Sequence, residues 1–250
     1  MAKHERIDRL LVARGLFDSR AKAQAAIAAG LVTADGAIVH KASAEVPIDA
    51  FLSAAPAHPY VSRGGVKLAA ALDHFGFAPK GRVCLDVGAS TGGFTQVLLE
   101  RGALRVYAVD VGVGQLHKSL RERQNVVALE NTDIRTLPVH RLDRLPDLIT
   151  IDVSFISLKQ TLPAALSLAE PTAQLIALIK PQFEAGRAAL AKGIIRDPAI
   201  HAAVCRDLTD FVAALGWRVL GIIPSPITGR DGNAEFLLGA ERPDRAARSP

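Results

Sequence analysis

Four ionisable residues fall where helical and strand-like runs begin or end in the larger part of this chain, and their types suit proton transfer. Lys67 opens a helical run after Ser62-Arg63-Gly64-Gly65. Asp152 ends a strand-like run in Ile151-Asp152-Val153-Ser154-Phe155. Lys180 closes Leu178-Ile179-Lys180-Pro181, and Glu235 begins the last strand-like run, after Gly232-Asn233-Ala234. A charge directly after the apolar Ile176-Ala177-Leu178-Ile179 needs a partner, because burying it unpaired is costly. The plainest alternative is a buried Asp152–Lys180 ion pair and nothing more. The chemical alternative is deprotonation of a weakly acidic hydroxyl as it attacks a carbon. A lysine can act as that base when its amine is neutral, and burial beside a second cation lowers a lysine pKa. Carboxylates orient the amine and the hydroxyl while opposing that drop. On this reading Lys180 is the base, Lys67 the second cation and orienter, and Asp152 and Glu235 hold the amines and the substrate.

A glycine-rich loop lies beside these residues in the expected order of elements. Asp86-Val87-Gly88-Ala89-Ser90-Thr91-Gly92-Gly93-Phe94 follows an apolar run and precedes a helical one. Glycines there let the backbone turn sharply and approach a ligand closely. The spacing is G-x-x-x-G-G, unlike the G-x-G-x-x-G of dinucleotide sites, so a pyrophosphate has no evident seat and a dehydrogenase is disfavoured. An acidic residue at the loop's start suits a cationic cofactor such as S-adenosylmethionine. Asp110, after the next strand-like run, stands where an acid hydrogen-bonds ribose hydroxyls. Asp133, after the third, is placed to reach the adenine end. The expected cofactor residues are therefore Asp86, Gly88, Ser90, Gly92, Gly93, Phe94, Asp110 and Asp133.

These residues need a scaffold, and the hydrophobic pattern supplies one. From about Val61, strand-like runs (Val83–Val87, Leu104–Val109, Val126–Leu129, Leu148–Asp152, Leu175–Ile179, Val219–Ile223, Glu235–Leu238) alternate with helical ones (Gly93–Arg101, Leu158–Ala169, Ile200–Leu215). Such alternation predicts an α/β fold with a mostly parallel sheet, ligands sitting at the carboxyl ends of its strands. The first part differs. Ile7, Leu10 and Leu11 recur at helical spacing, Asp18 or Ser19 can cap a helix from Arg20 to Ala29, and Asp35-Gly36 joins two short strand-like segments. That reads as a small α+β unit of two helices and a hairpin. The boundaries expected are a small domain at 5–55, a proline-bearing linker at 56–60, a large domain at 61–240 and a disordered tail at 241–250.

Bulk properties narrow the class. The chain has 250 residues, 30 Lys+Arg against 25 Asp+Glu, and a net charge of +5, which fits a nucleic-acid partner without requiring one. Cys84 and Cys205 have neither disulfide-framework nor zinc spacing, and the seven histidines form no ligand cluster, so no metal is expected. No run approaches the roughly 18 apolar residues of a membrane span, and no signal-peptide pattern opens the chain. A cytoplasmic protein is expected.

The order Lys67, Asp152, Lys180, Glu235 resembles the K-D-K-E tetrad of FtsJ-type RNA 2′-O-methyltransferases. A closer resemblance is to the TlyA family of ribosomal RNA methyltransferases, also known as the haemolysin A family. It is carried by Val61-Ser62-Arg63-Gly64-Gly65 with Lys67-Leu68, the loop Asp86 to Thr95, and Gly114-Gln115-Leu116. Asp152 to Leu158, Lys180-Pro181-Gln182-Phe183-Glu184-Ala185-Gly186-Arg187, and Gly232-Asn233 with Glu235-Phe236 complete it. The first part resembles the S4 RNA-binding domain, through Arg6-Ile7-Asp8 with Leu10-Leu11, Gly15-Leu16, Ser19-Arg20 with Ala23, Ile27 with Gly30, Gly36 and Lys41. These resemblances imply a Rossmann-like class I methyltransferase with an N-terminal S4 domain. They imply S-adenosylmethionine as cofactor and the ribose 2′-hydroxyl of a cytidine in ribosomal RNA as substrate. Arg9, Arg20, Lys22, Lys41 and Arg63 would face RNA phosphates. The few residues before the S4 motif favour the large subunit's 23S RNA as target over the small subunit's 16S RNA. Two other classes compete. A non-catalytic ribosome assembly factor would bind RNA equally well without Lys180. A membrane-active haemolysin would need an amphipathic or apolar segment, and Ile200–Leu215, the one amphipathic candidate, fits packing against a sheet.

Overall fold

The computed structural model describes residues 3–185, 194–229 and 232–243. The chain divides into two compact units, Met1–Pro59 and Tyr60–Pro250.

In the first unit, β1 (His4–Arg6) leads into α1 (Ile7–Ala13), and α2 (Arg20–Ala28) packs on α1. Ser19 caps α2, its hydroxyl accepting from Lys22 N at 3.4 Å. β2 (Val32–Ala34) and β3 (Ala37–Ile38) form the hairpin, and both Asp35 and Gly36 have positive φ (49° and 79°), as a tight two-residue connection between twisted strands demands. The unit holds more than two helices and a hairpin: β4 (Glu45–Pro47) pairs with β1, and β5 (Leu52–Ala54) adds to β2. Strands of three residues carry too little alternation to stand out in a sequence. Ile7, Leu11, Ala23, Ala26, Ile27 and Val32 close this unit's own core.

The second unit is built on a seven-stranded sheet of order β11-β12-β10-β9-β6-β7-β8. β6 (Val83–Val87), β7 (Arg105–Val109), β8 (Val126–Leu129), β9 (Leu148–Ile151) and β10 (Gln174–Ile179) run parallel. Both faces are covered, which is why β6, β9 and β10 read as near-continuous apolar runs. One core lies under α6 (Leu158–Ser167) and α8 (Pro198–Ala214), the other under α3 (Gly64–Phe75) and α4 (Gly93–Glu100). Short helices α5 (Lys118–Arg121) and α7 (Pro181–Glu184) follow β7 and β10.

The last two strands depart from the parallel pattern. β12 (Phe236–Glu241) runs antiparallel between β10 and β11 (Arg218–Pro224). Its register pairs Ile179 with Phe236, which brings Glu235 beside Lys180. Glu241, expected to begin a disordered tail, is the last residue of β12 and pairs with Gln174. Arg242 continues the order: its amide donates to Ala173 O at 2.8 Å and its guanidinium lies over the Trp217 ring at 5.7 Å. Residues 244–250 of the expected tail, and Gly186 and Arg187 of the quoted motif, lie outside the described residues. Among the described residues, no helix is long and apolar enough to cross a membrane.

Candidate active site

The carboxyl ends of the parallel strands share one edge of the sheet, and the sequence places its chemistry there. Asp152 follows β9, and its amide donates to Val87 O at 2.9 Å, which sets it beside the end of β6. Lys180 follows β10 and caps α7, with Pro181 at the first helical position. Glu235 immediately precedes β12 rather than opening it, and Lys67 sits one turn inside α3 rather than at its start.

Two lysine–carboxylate pairs result. Lys67 Nζ donates to Glu235 Oε2 in a short contact, and both side chains are more than nine-tenths buried. Lys180 Nζ lies 2.6 Å from Asp152 Oδ1, at an angle outside hydrogen-bond geometry, and donates to Ser154 Oγ at 2.8 Å. The Lys180 side chain is 10% exposed and that of Asp152 21%, so this pair has a path to solvent. The register of β10 with β12 puts Lys180 and Glu235 at neighbouring positions. The four residues therefore form one set rather than scattered charges.

The glycine-rich loop joins β6 to α4. Gly88 has φ 80°, and a Cβ there would collide with the Asp152 carbonyl oxygen, so the glycine-rich loop and the Asp152 turn are in backbone contact. Ser90 holds the left-handed conformation (φ 47°) without being glycine, and its amide donates to Asp110 Oδ2 at 2.7 Å. Gly92 caps α4 beneath Leu116 and Leu120, and Gly93 opens the helix close to Ser62 and Gly65.

Two of the expected cofactor residues, Asp86 and Phe94, are buried beneath the loop. Asp86 has no exposed surface. Its oxygens accept from Thr95 Oγ1 at 2.6 Å and Thr150 Oγ1 at 3.0 Å, and burial pushes its pKa up to about 7. It underlies the loop instead of lining it. Phe94 is 3% exposed and belongs to the core between α3 and α4; an apolar residue in a helix's first turn faces the core as readily as a ligand. Asp133 keeps its place after β8, its side chain 30% exposed; it caps the turn Ile134–Thr136, and both its oxygens accept from the Arg135 side chain, which lowers its pKa. Asp110 keeps its place after β7, half-buried, one oxygen accepting from Ser90 N and the other from Gly112 N at 2.7 Å.

Other residues of the edge carried no ionisable signal in the sequence. Phe155 is 91% exposed, with φ 65°, and its ring meets that of Phe183 at 5.2 Å. A large aromatic held out in a strained backbone conformation is a ready stacking surface. Only its place in Asp152-x-x-Phe155 could have flagged it. Val111 (70%) and Val113 (74%) are likewise exposed, in the loop beside Asp110. That loop is fastened to the glycine-rich one, Ser90 Oγ donating to Gln115 Oε1 at 3.1 Å. Glu130 secures it from β8's end, accepting from the amides of Gln115 (2.7 Å) and Leu116 (3.0 Å). Among the described residues, no group of three His, Cys, Asp or Glu could hold a metal ion.

The expected RNA-facing residues are exposed or half-buried. Arg9, Arg20 and Lys41 are surface residues of the first unit, Lys22 pairs with Asp18 at 2.9 Å, and Arg63 is exposed at the start of α3. Arg20 is braced: its NH2 donates at 2.8 Å to Asp8, a carboxylate with no exposed surface. Asp8 also accepts from Arg6 (Nε and NH2, both 3.1 Å) and Gln24 (2.8 Å), and the Arg6 guanidinium drives its pKa down. Arg6, absent from the expected RNA-facing residues, is set beside Arg20 by this buried carboxylate.

A parallel sheet with a glycine-rich first turn, acids after the second and third strands and an antiparallel closing strand defines a Rossmann-like methyltransferase. Solved chains of S-adenosylmethionine-dependent methyltransferases share this fold at low identity, such as one from Aquifex aeolicus (19% identity over 73% of this chain and 94% of that one, TM-score 0.51). The chain belongs to the FtsJ-like methyltransferase family, whose model matches residues 60–242, and an S4 domain model matches residues 5–52. It is 43% identical to the 16S/23S rRNA (cytidine-2′-O)-methyltransferase TlyA of Mycobacterium tuberculosis, over 95% of this chain and 90% of that one. It is 37% identical to Hemolysin A of Brachyspira hyodysenteriae, over 93% of this chain and 98% of that one. A solved chain described as "Putative hemolysin from Streptococcus thermophilus" superposes with TM-score 0.77 at 41% identity, over 98% of this chain and 90% of that one.

Proposed function

We propose that this enzyme transfers a methyl group from S-adenosylmethionine to the ribose 2′-hydroxyl of a cytidine in ribosomal RNA. The observation that carries the reading is the pair of buried lysines, each with its own carboxylate, on the sheet edge that bears the glycine-rich loop. The donor set of that loop suits the cofactor. Asp110 retains exposure for ribose hydroxyls, and Val111 and Val113 offer an apolar face to adenine. Bound there, the cofactor supplies an electrophilic methyl carbon.

Lys180 Nζ is the group placed to take the hydroxyl proton. Asp152 then faces the ammonium that forms, and Ser154 fixes the amine's direction. The Lys67–Glu235 pair supplies the second cation and a carboxylate to hold the ribose. Phe155 offers its exposed ring to a base, which a ribose-directed enzyme must hold away from its neighbours. Arg6, Arg20 and Arg63 supply guanidinium groups for the phosphate backbone.

The names of two relatives support the cytidine assignment. The Mycobacterium tuberculosis protein is named for both 16S and 23S RNA, and the Campylobacter jejuni relative (42% identity over 71% of this chain) for 23S RNA. The target common to both is 23S RNA, and we assign it here. The test is tritiated methyl transfer from S-adenosylmethionine to purified large and small subunits lacking the modification, with Lys180→Ala in parallel. Label on large-subunit RNA, lost in the variant, is expected. Label on both subunits would widen the target, and label on neither would remove the RNA assignment. A liposome-leakage assay on the same preparation tests the activity that the word hemolysin denotes, and no leakage is expected.

A further inference from the structure

The segment joining β9 to α6 carries three things the site needs: Asp152, the Ser154 hydroxyl that meets Lys180, and the exposed Phe155 ring. Among the described residues, Val153, Ser154, Phe155 and Ile156 take part in no backbone–backbone hydrogen bond. Regular structure therefore does not hold this segment; side chains do. Val153 packs against the core under α6 and α8; among the described residues, the polar and ring ties of Ser154, Phe155 and Ser157 go to the stretch Lys180–Glu184. Lys180 Nζ donates to Ser154 Oγ, and the Phe183 ring meets Phe155. At the far end Glu184 accepts twice, from Ser157 Oγ at 2.5 Å and from Leu158 N at 2.8 Å.

The third tie is the one made of two hydrogen bonds. A carboxylate at the first turn of α6 satisfies an amide that the helix itself leaves open, and the helix dipole favours its charge. Ser157 is the cap of α6, accepting from Lys159 N at 3.2 Å while it donates to Glu184. Glu184 thus fixes where α6 starts, and hence where the segment between Asp152 and Ser157 ends. The side chain is half-buried and four residues beyond Lys180, at the last position of α7.

The geometry points to Glu184 as a positioning residue for methyl transfer: it latches the Asp152–Ser157 segment onto the helix that follows Lys180, so that the base and the aromatic platform keep a fixed relation. The kinetic part of this inference rests on the methyl-transfer reading above. The mechanical part does not. Displacing reacting groups by about 1 Å can cost on the order of 100-fold in rate, so a residue outside the tetrad can still control turnover.

The experiment compares Glu184→Ala and Glu184→Gln in the full chain. A glutamine can accept from Leu158 N and donate to Ser157 Oγ, so it keeps the latch without the charge. Amide hydrogen exchange at Leu158, whose N–H the Glu184 carboxylate holds, is measured first. Glu184→Ala should raise it at least about tenfold, and Glu184→Gln should leave it near wild type. Turnover on subunit RNA should then fall by about 10- to 100-fold in Glu184→Ala, with S-adenosylmethionine affinity changed less than about twofold and most of kcat restored in Glu184→Gln. Unchanged exchange in Glu184→Ala overturns the latch. Raised exchange with unchanged kcat overturns its role in positioning. If Glu184→Ala does not fold, Ser157→Ala, which removes one of the two bonds, must give the same pattern at smaller size. A wild-type enzyme that methylates no RNA would sink the substrate assignment while the exchange result still decides the latch.

Discussion

Asp86 and Asp8 are both carboxylates without exposed surface, and they illustrate opposite solutions to burial. Asp86 has two threonine hydroxyls as partners and no cation, so burial wins and its pKa rises to about 7. The unfolded chain releases this proton near the ordinary value of 3.8. Between about pH 4 and pH 7 the folded state therefore binds more protons than the unfolded state, and its stability falls as pH rises across that window. Asp86→Asn should remove its share of this slope, leaving that of Glu184 and Asp147, whose pKa values burial also raises. Urea midpoints of both proteins from pH 4 to 8 check it, and a difference between them that stays constant with pH would overturn the raised pKa of Asp86. Asp8 has two guanidinium partners, and its pKa falls. Asp8→Ala should destabilise the first unit by about 1–3 kcal/mol, since Gln24 and two arginines lose their common acceptor. Because Arg6 and Arg20 would then swing free, RNA affinity should drop several-fold more than in Arg9→Ala, as a filter-binding titration would show. At this scale the sequence was informative about types and less so about surroundings. Lys67, Asp152, Lys180 and Glu235 could be picked out as charges at the ends of apolar runs. That Phe94 points into the core, or that Asp133 pairs with Arg135, depends on side-chain direction, which spacing alone does not encode.

The element that most constrains the site is the turn after β6. Gly88 combines positive φ with a backbone neighbour, the Asp152 carbonyl, that cannot move without carrying a member of the tetrad with it. Gly88→Ala should cost about 1–3 kcal/mol in stability and weaken S-adenosylmethionine binding and turnover together, whereas Gly114→Ala, with φ 67° but open space around its Cβ, should cost stability with a smaller loss of turnover. Calorimetric titration of both variants separates the two. Most elements of the second unit were legible because they are long enough to show a period: β6, β8 and β10 fall within one residue of their apolar runs. The antiparallel insertion of β12 was not, since apolarity reports burial and says nothing about which neighbour a strand chooses. The strands β1, β4 and β5 were missed for their brevity.

The molecule divides its labour between two units with separate cores. A chain starting at Tyr60 should keep its cofactor affinity, because the glycine-rich loop and its acids all lie in the second unit. It should bind RNA more weakly and with a shallower salt dependence. The slope of log affinity against log salt should shrink by about 0.7–0.9 for each phosphate that Arg6, Arg20 and their neighbours no longer neutralise. Titrations at several salt concentrations check this. An unchanged slope would mean that the first unit does not touch the phosphate backbone.

The position of β12 has a further consequence, for the order in which the enzyme is made. It is the last strand of the sheet to leave the ribosome, yet it belongs between β10 and β11, not at an edge. Until it arrives, the apolar stretch Leu175–Ile179 presents an open strand edge, a hazard for misassociation during synthesis. The residue just before it, Glu235, is the partner of Lys67, which emerged 168 residues earlier. The proposed catalytic set therefore cannot assemble before Glu235 has been made. Completing the sheet and bringing Glu235 to Lys67 are one event.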